Sequence, residues 1–108
     1  MHAANQICYL NYVPNPEEVS DYIASYAGRI GPVTLWFKNY PEGLATVDPK
    51  LAEIDVPVLV FWGQHDQLLL VENAHRLSER LKRNELHVFD HCGHFSYQDK
   101  YEEFGDVV

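Results

Sequence analysis

The sequence predicts an α/β fold built on a pair of parallel strands, and three observations carry that prediction. Pro57–Val58–Leu59–Val60–Phe61–Trp62 is a continuous apolar, partly β-branched run closed by Gly63. Such a run suits a strand covered on both faces, as in a parallel sheet. Leu86–His87–Val88–Phe89 is a second run of the same kind. Between them, Glu72 to Arg83 places Ala74, Leu77 and Leu81 on one face, with Glu72, Glu79 and Lys82 elsewhere, and reads as an amphipathic helix. Strand, helix and strand make a βαβ unit, whose crossover is expected to be right-handed.

The elements ahead of this unit are helical. Asn15 is a cap, Pro16 fits the first helical position, and Glu17 and Glu18 sit at the positive end of the helix dipole. Val19, Tyr22, Ile23 and Tyr26 then share one face, and Gly28 is the expected stop. A second short helix is expected from Pro32 to Tyr40, ended by Pro41–Glu42–Gly43, and a single turn over Leu51 to Ile54. Asn84 is a suitable residue to end the helix of the βαβ unit. A last helix is expected from Asp99 to Val108. The change of character near Pro49–Pro57 divides the chain into a mainly helical segment, residues 1–47, and a βαβα segment, residues 48–108.

Composition narrows the function classes. Apolar residues make up 46% and charged residues 22% of the 108, ordinary globular values for one small domain. The formal charge of −8 repels phosphate, so no nucleic-acid partner is expected. Cys8 and Cys92 are too few for a disulfide framework and read as thiols in a reducing compartment. Met1–Gln6 lacks a basic leader, and the only nearby apolar run, Ile7 to Val13, is broken by Asn11, so neither a signal peptide nor a membrane span is expected. A cytoplasmic location follows by default.

Chemistry in open parallel sheets sits beyond the carboxyl ends of the strands. Two loops occupy that place, Gly63–Gln64–His65–Asp66 and Asp90–His91–Cys92–Gly93–His94–Phe95. Adjacent strands would bring Asp66 within reach of His94. A neutral imidazole takes a proton from a hydroxyl or water, and a carboxylate on its other nitrogen fixes the tautomer and stabilises the imidazolium. Gly93 would let the backbone turn sharply ahead of the ring. The plainer alternatives are a loop-capping carboxylate at Asp66 and a backbone-bonded histidine at His94. His65, His91, Cys92 and His94 fit no regular zinc spacing, so no metal or other cofactor is expected, and Cys92 is too close to His94 along a tight loop to serve as its nucleophile. The aromatic set Tyr9, Tyr12, Tyr22, Tyr26, Trp36, Phe37 and Tyr40 is expected to pack as ordinary core, the alternative being a contact surface.

The stretch from Pro57 to Asp66 (PVLVFWGQHD), then Val71 to Leu77 (VENAHRL), then His91 to Phe95 (HCGHF) with Glu102–Glu103–Phe104, resembles the C-terminal part of α/β-hydrolases, from Leu51 to Val108. The resemblance implies a partial α/β-hydrolase fold in which Asp66 is the triad acid and His94 the triad base. Residues 1–47 would match the end of that family's cap region. The family's nucleophile elbow, usually Gly-x-Ser-x-Gly, is missing, since none of Ser20, Ser25, Ser78 and Ser96 sits in that pattern. The glycine-rich turn of the oxyanion hole is missing as well. The expectation is therefore a truncated hydrolase, a C-terminal fragment or subunit for ester-type hydrolysis, whose nucleophile comes from another half. The alternative is a non-catalytic, hydrolase-derived protein that self-associates, for example as a homodimer, to cover its exposed sheet edges.

Overall fold

The computed structural model describes residues 7–108, so the reading of Met1–Gln6 lies outside it. The chain forms two compact units. One contains residues 14–51, and the other joins residues 7–13 to residues 52–108.

In the first unit, helix α1 spans Pro16–Tyr26 and opens as its sequence requires. Asn15 Oδ1 accepts the Glu17 and Glu18 amides at 2.9 and 3.0 Å, and Glu18 Oε2 accepts the Asn15 amide at 2.7 Å. This capping box satisfies the otherwise orphaned N–H groups of the first turn. Gly28 follows the helix at φ +71, a left-handed conformation that glycine adopts without a side-chain clash.

Helix α2 spans Ile30–Val47, longer than the expected Pro32 to Tyr40, and it runs through Pro41. Proline removes one N–H and crowds one carbonyl, but the neighbouring bonds continue past it. Asp48 N–H still donates to Leu44 O, and Thr46 Oγ1 donates to Glu42 O at 3.1 Å. A 3₁₀ turn over Asp48–Glu53 follows. No residue of α1 or α2 is buried. Trp36 and Phe37 pack edge to face at 4.9 Å yet are 58% and 62% exposed. The core expected from the aromatics of these helices is therefore not formed within this unit, because two helices alone supply no second layer to cover them.

The second unit carries the βαβ unit. Strand β1 (Val58–Gly63) pairs in parallel with β2 (Asn84–Phe89), with Val60 opposite Leu86 and Gly63 opposite Phe89. Helix α3 (Glu72–Arg80) connects them. It ends three residues before the expected Arg83, because Leu81 turns extended and is buried. Asn84 is the first residue of β2 rather than the end of the helix, yet its amide donates to Ser78 O and Leu81 O at 2.8 and 3.0 Å. The side chain thus satisfies helix-end carbonyls from the strand. Val60, Ala74, Leu81, Phe89 and Cys92 form a small core, and Phe61 packs on Phe104 with ring centroids 4.5 Å apart. The last helix, expected from Asp99 to Val108, is α5 (Tyr101–Val107), and a short helix α4 (Ser96–Asp99), not expected from the sequence, precedes it. Among the described residues, no helix is long and apolar enough to cross a membrane.

Candidate active site

The two predicted loops meet at the carboxyl ends of the strands. Phe89 O accepts the Gln64 amide at 2.9 Å, and Cys92 O accepts the His65 amide at 2.9 Å, so backbone bonds tie the acid loop to the histidine loop. The approach is close enough to exclude side chains at two places. A β-carbon on Gly63 would lie 2.0 Å from Gly93 O and 2.5 Å from Cys92 O. One on Gly93 would lie 2.6 Å from Cys8 O. Gly93, expected to let the backbone turn sharply, is needed for this close approach, and its φ is not positive. The left-handed residue of this loop is His91, at φ +48. Gly63→Ala is expected to destabilise the chain by about 3 kcal/mol or more, since both opposing atoms are backbone. Urea unfolding would register this as a lowered midpoint; an unchanged midpoint would contradict the packing described.

Asp66 and His94 are brought together. His94 Nδ1 lies 2.8 Å from Asp66 Oδ2. The other carboxylate oxygen, Oδ1, accepts the amides of Leu68 and Leu69 at 2.8 and 2.9 Å. The loop-capping alternative and the histidine-orienting one are thus both realised, one on each oxygen. Asp66's side chain is 3% exposed, and these three donors compensate its burial. Trp62 Nε1 donates to Leu69 O at 2.9 Å, holding the loop from the strand side. A carboxylate only accepts, so a neutral imidazole bonded to it carries its proton on Nδ1 and offers Nε2 as an acceptor. His94's side chain is 27% exposed, and Nε2 has no hydrogen-bond partner among the described residues.

The histidine loop has a brace that the sequence did not reveal. Asp99, buried in α4, accepts four backbone amides: Leu10 at 2.8 Å and Gly93 at 2.7 Å on Oδ2, Asn11 at 3.0 Å and Tyr12 at 2.8 Å on Oδ1. Burial pushes this carboxyl up, but the four amide bonds outweigh that effect and hold it below its ordinary value. Cys8 O accepts the His94 and Phe95 amides at 2.8 and 3.2 Å. Residues 8–12 thus form a strap bonded to both sides of the His94 backbone. No local pattern marks Asp99 for this role, because three of its four donors lie more than eighty positions away.

The remaining candidates separate. Cys92 is fully buried, and burial first, then the nearby Asp99 carboxylate, push its thiol up to about 12. A buried thiol at that value is not a nucleophile. His94 is engaged with Asp66, so the four-residue set His65, His91, Cys92 and His94 does not converge. His65 and His91 alone come together, their rings stacked with centroids 5.6 Å apart.

Comparison with known proteins agrees with this architecture. Residues 5–101 match the alpha/beta hydrolase fold family. The chain is 36% identical over 91% of its length to 2-hydroxy-6-oxononadienedioate/2-hydroxy-6-oxononatrienedioate hydrolase 2 of Pseudomonas putida, covering 30% of that protein. It is 30% identical over 87% of its length to 2-hydroxy-6-oxo-6-phenylhexa-2,4-dienoate hydrolase of Comamonas testosteroni, covering 29% of that protein. Among solved structures, it is similar to a serine hydrolase from the polyaromatic hydrocarbon-degrading bacterium Cycloclasticus zankles, with 35% identity and a TM-score of 0.53 over 56% of this chain and 21% of that one. The chain spans less than a third of the length of these relatives. With the parallel βαβ unit, the two loops at its carboxyl end and the match over residues 5–101, the chain belongs to the α/β-hydrolase fold family.

Proposed function

We propose that this chain contributes the acid and histidine of a hydrolase site, and that the complete site acts on an acid of the 2-hydroxy-6-oxo-dienoate class. The observation that carries the reading is the Asp66–His94 bond of 2.8 Å, with the second carboxylate oxygen anchored on Leu68 and Leu69 and Nε2 of His94 left available. The substrate class is supported by the names of the Pseudomonas and Comamonas relatives.

In this reading His94 Nε2 accepts the proton of a hydroxyl or water as it attacks a carbonyl carbon, and then returns it to the leaving group. Asp66 holds the tautomer and stabilises the imidazolium. The nucleophile and the oxyanion donors come from polypeptide other than these residues. The ester-type chemistry expected from the sequence needs a carbonyl carbon, and the 6-oxo group of such an acid offers one.

The test is a chimera joining this chain to the remaining part of the Pseudomonas relative. A folded chimera is expected to hydrolyse a 2-hydroxy-6-oxo-dienoate, and His94→Ala is expected to remove that activity. A folded but inactive chimera would reject the reading.

The non-catalytic, self-associating alternative keeps one specific support. Leu35, Trp36 and Phe37 of α2 are each well over half exposed, an apolar surface of the kind that partners cover. Sedimentation of the chain alone at micromolar concentration is expected to show an oligomer on that reading. A well-folded monomer would eliminate it.

A further inference from the structure

Outside the Asp66–His94 pair, His65, Asp90 and His91 form a cluster in which one ligand atom of each lies within 4.8 Å of the others. All three residues are exposed. We propose that they form a surface binding site for a divalent transition-metal ion of the zinc class, joining the acid loop to the histidine loop.

The backbone sets up this meeting. His65 is fixed to the histidine loop by its amide bond to Cys92 O at 2.9 Å. His91 sits at the left-handed φ of +48, its amide donating to Asp90 Oδ1 at 2.9 Å and its carbonyl accepting Asn11 Nδ2. The two imidazoles lie side by side with rings 9° from parallel, and Asp90 Oδ2 is 3.7 Å from His91 Nε2. Two imidazoles and a carboxylate are the donor set that zinc and its neighbours take, with solvent filling the remaining position. Tetrahedral zinc with bonds of about 2.0–2.1 Å needs donor atoms about 3.3 Å apart. On this proposal the donor atoms, now within 4.8 Å of one another, reach that spacing by rotation of three exposed side chains. Lys100, on which the Asp90 charge acts, is engaged by Glu103 at 2.9 Å, and the chain's net charge of −8 favours a cation over an anion.

The sequence reading expected no metal because it grouped the histidines with Cys92 and His94, both of which the fold commits elsewhere. Asp90 replaces them as the third donor. The ion would bind without displacing the Asp66–His94 bond.

The experiment is calorimetric titration of the chain with Zn²⁺ alone, beside His65→Ala, His91→Ala, Asp90→Asn and His75→Ala. His75 is an exposed histidine of α3 and serves as the control. One equivalent of Zn²⁺ is expected to bind with a micromolar dissociation constant. Each of His65→Ala and His91→Ala is expected to weaken it about tenfold or more, and Asp90→Asn less, while His75→Ala leaves it unchanged. Circular dichroism of each variant verifies the fold, which exposed positions should not disturb. The proposal is overturned by absence of saturable binding to the folded chain. It is equally overturned by binding that survives both His65→Ala and His91→Ala.

Discussion

In the chimera that completes the site, Asp66→Asn is expected to lower kcat by about 10²–10⁴-fold with little change in KM. The geometry makes this substitution selective. The carboxamide keeps an oxygen for the Leu68 and Leu69 amides, so the acid loop should hold its shape. What is lost is the charge facing His94 Nδ1 at 2.8 Å, and the amide nitrogen placed there is a donor. The imidazole would then favour the tautomer with its proton on Nε2, which cannot accept one from a nucleophile. Steady-state kinetics on the 2-hydroxy-6-oxo-dienoate, with circular dichroism as the folding control, checks it. Activity retained within about tenfold would remove Asp66 from the proton-transfer chain, since the loss expected of such a partner is larger.

Asp99→Ala should produce the largest change in stability, about 3–5 kcal/mol. It strips the acceptor from four backbone amides, and a buried donor left unsatisfied costs about 1–3 kcal/mol before any relaxation. A small domain has about 5–15 kcal/mol in total, so the variant should be close to unfolding. Urea denaturation measures this directly, and a change below about 1 kcal/mol would show that the strap over residues 8–12 is held by other means.

The same carboxylate sets a pH dependence. Its folded-state value lies below the unfolded value of 3.8, so its contribution is complete above 3.8 and is lost as pH falls through the lower folded value. Stability of the native chain should therefore drop more steeply in that acid range than stability of Asp99→Asn, which has no group there to protonate. Parallel acid titrations of the two would show identical slopes if the brace were unimportant.

The family and the core of the fold were legible in the sequence because they are written in local patterns. An apolar run closed by glycine, an amphipathic helix and a second run specify the βαβ unit whatever surrounds it, and β1, α3 and β2 formed there. Asn15–Pro16–Glu17–Glu18 specified its own helix start for the same reason: every partner of the capping box lies within three positions. Asp66 and His94 could be singled out because each follows a strand end, and adjacent parallel strands leave their loops side by side.

Tertiary structure alone decided the rest. Asp99 became a brace only when residues 10–12 returned to the histidine loop, a closure between chain segments with no common sequence signal. Gly63 and Gly93 are required by how closely two loops approach, which depends on sheet pairing and not on their own dihedral preferences. Helix α2 ran past Pro41, because a single missing amide does not outweigh the bonds on either side. Its aromatic residues stayed exposed because hydrophobic periodicity reports which face seeks cover, whereas the cover itself must be supplied by another layer. His65, Asp90 and His91 were brought together by the pairing of β1 with β2, and their sequence spacing carried no sign of it.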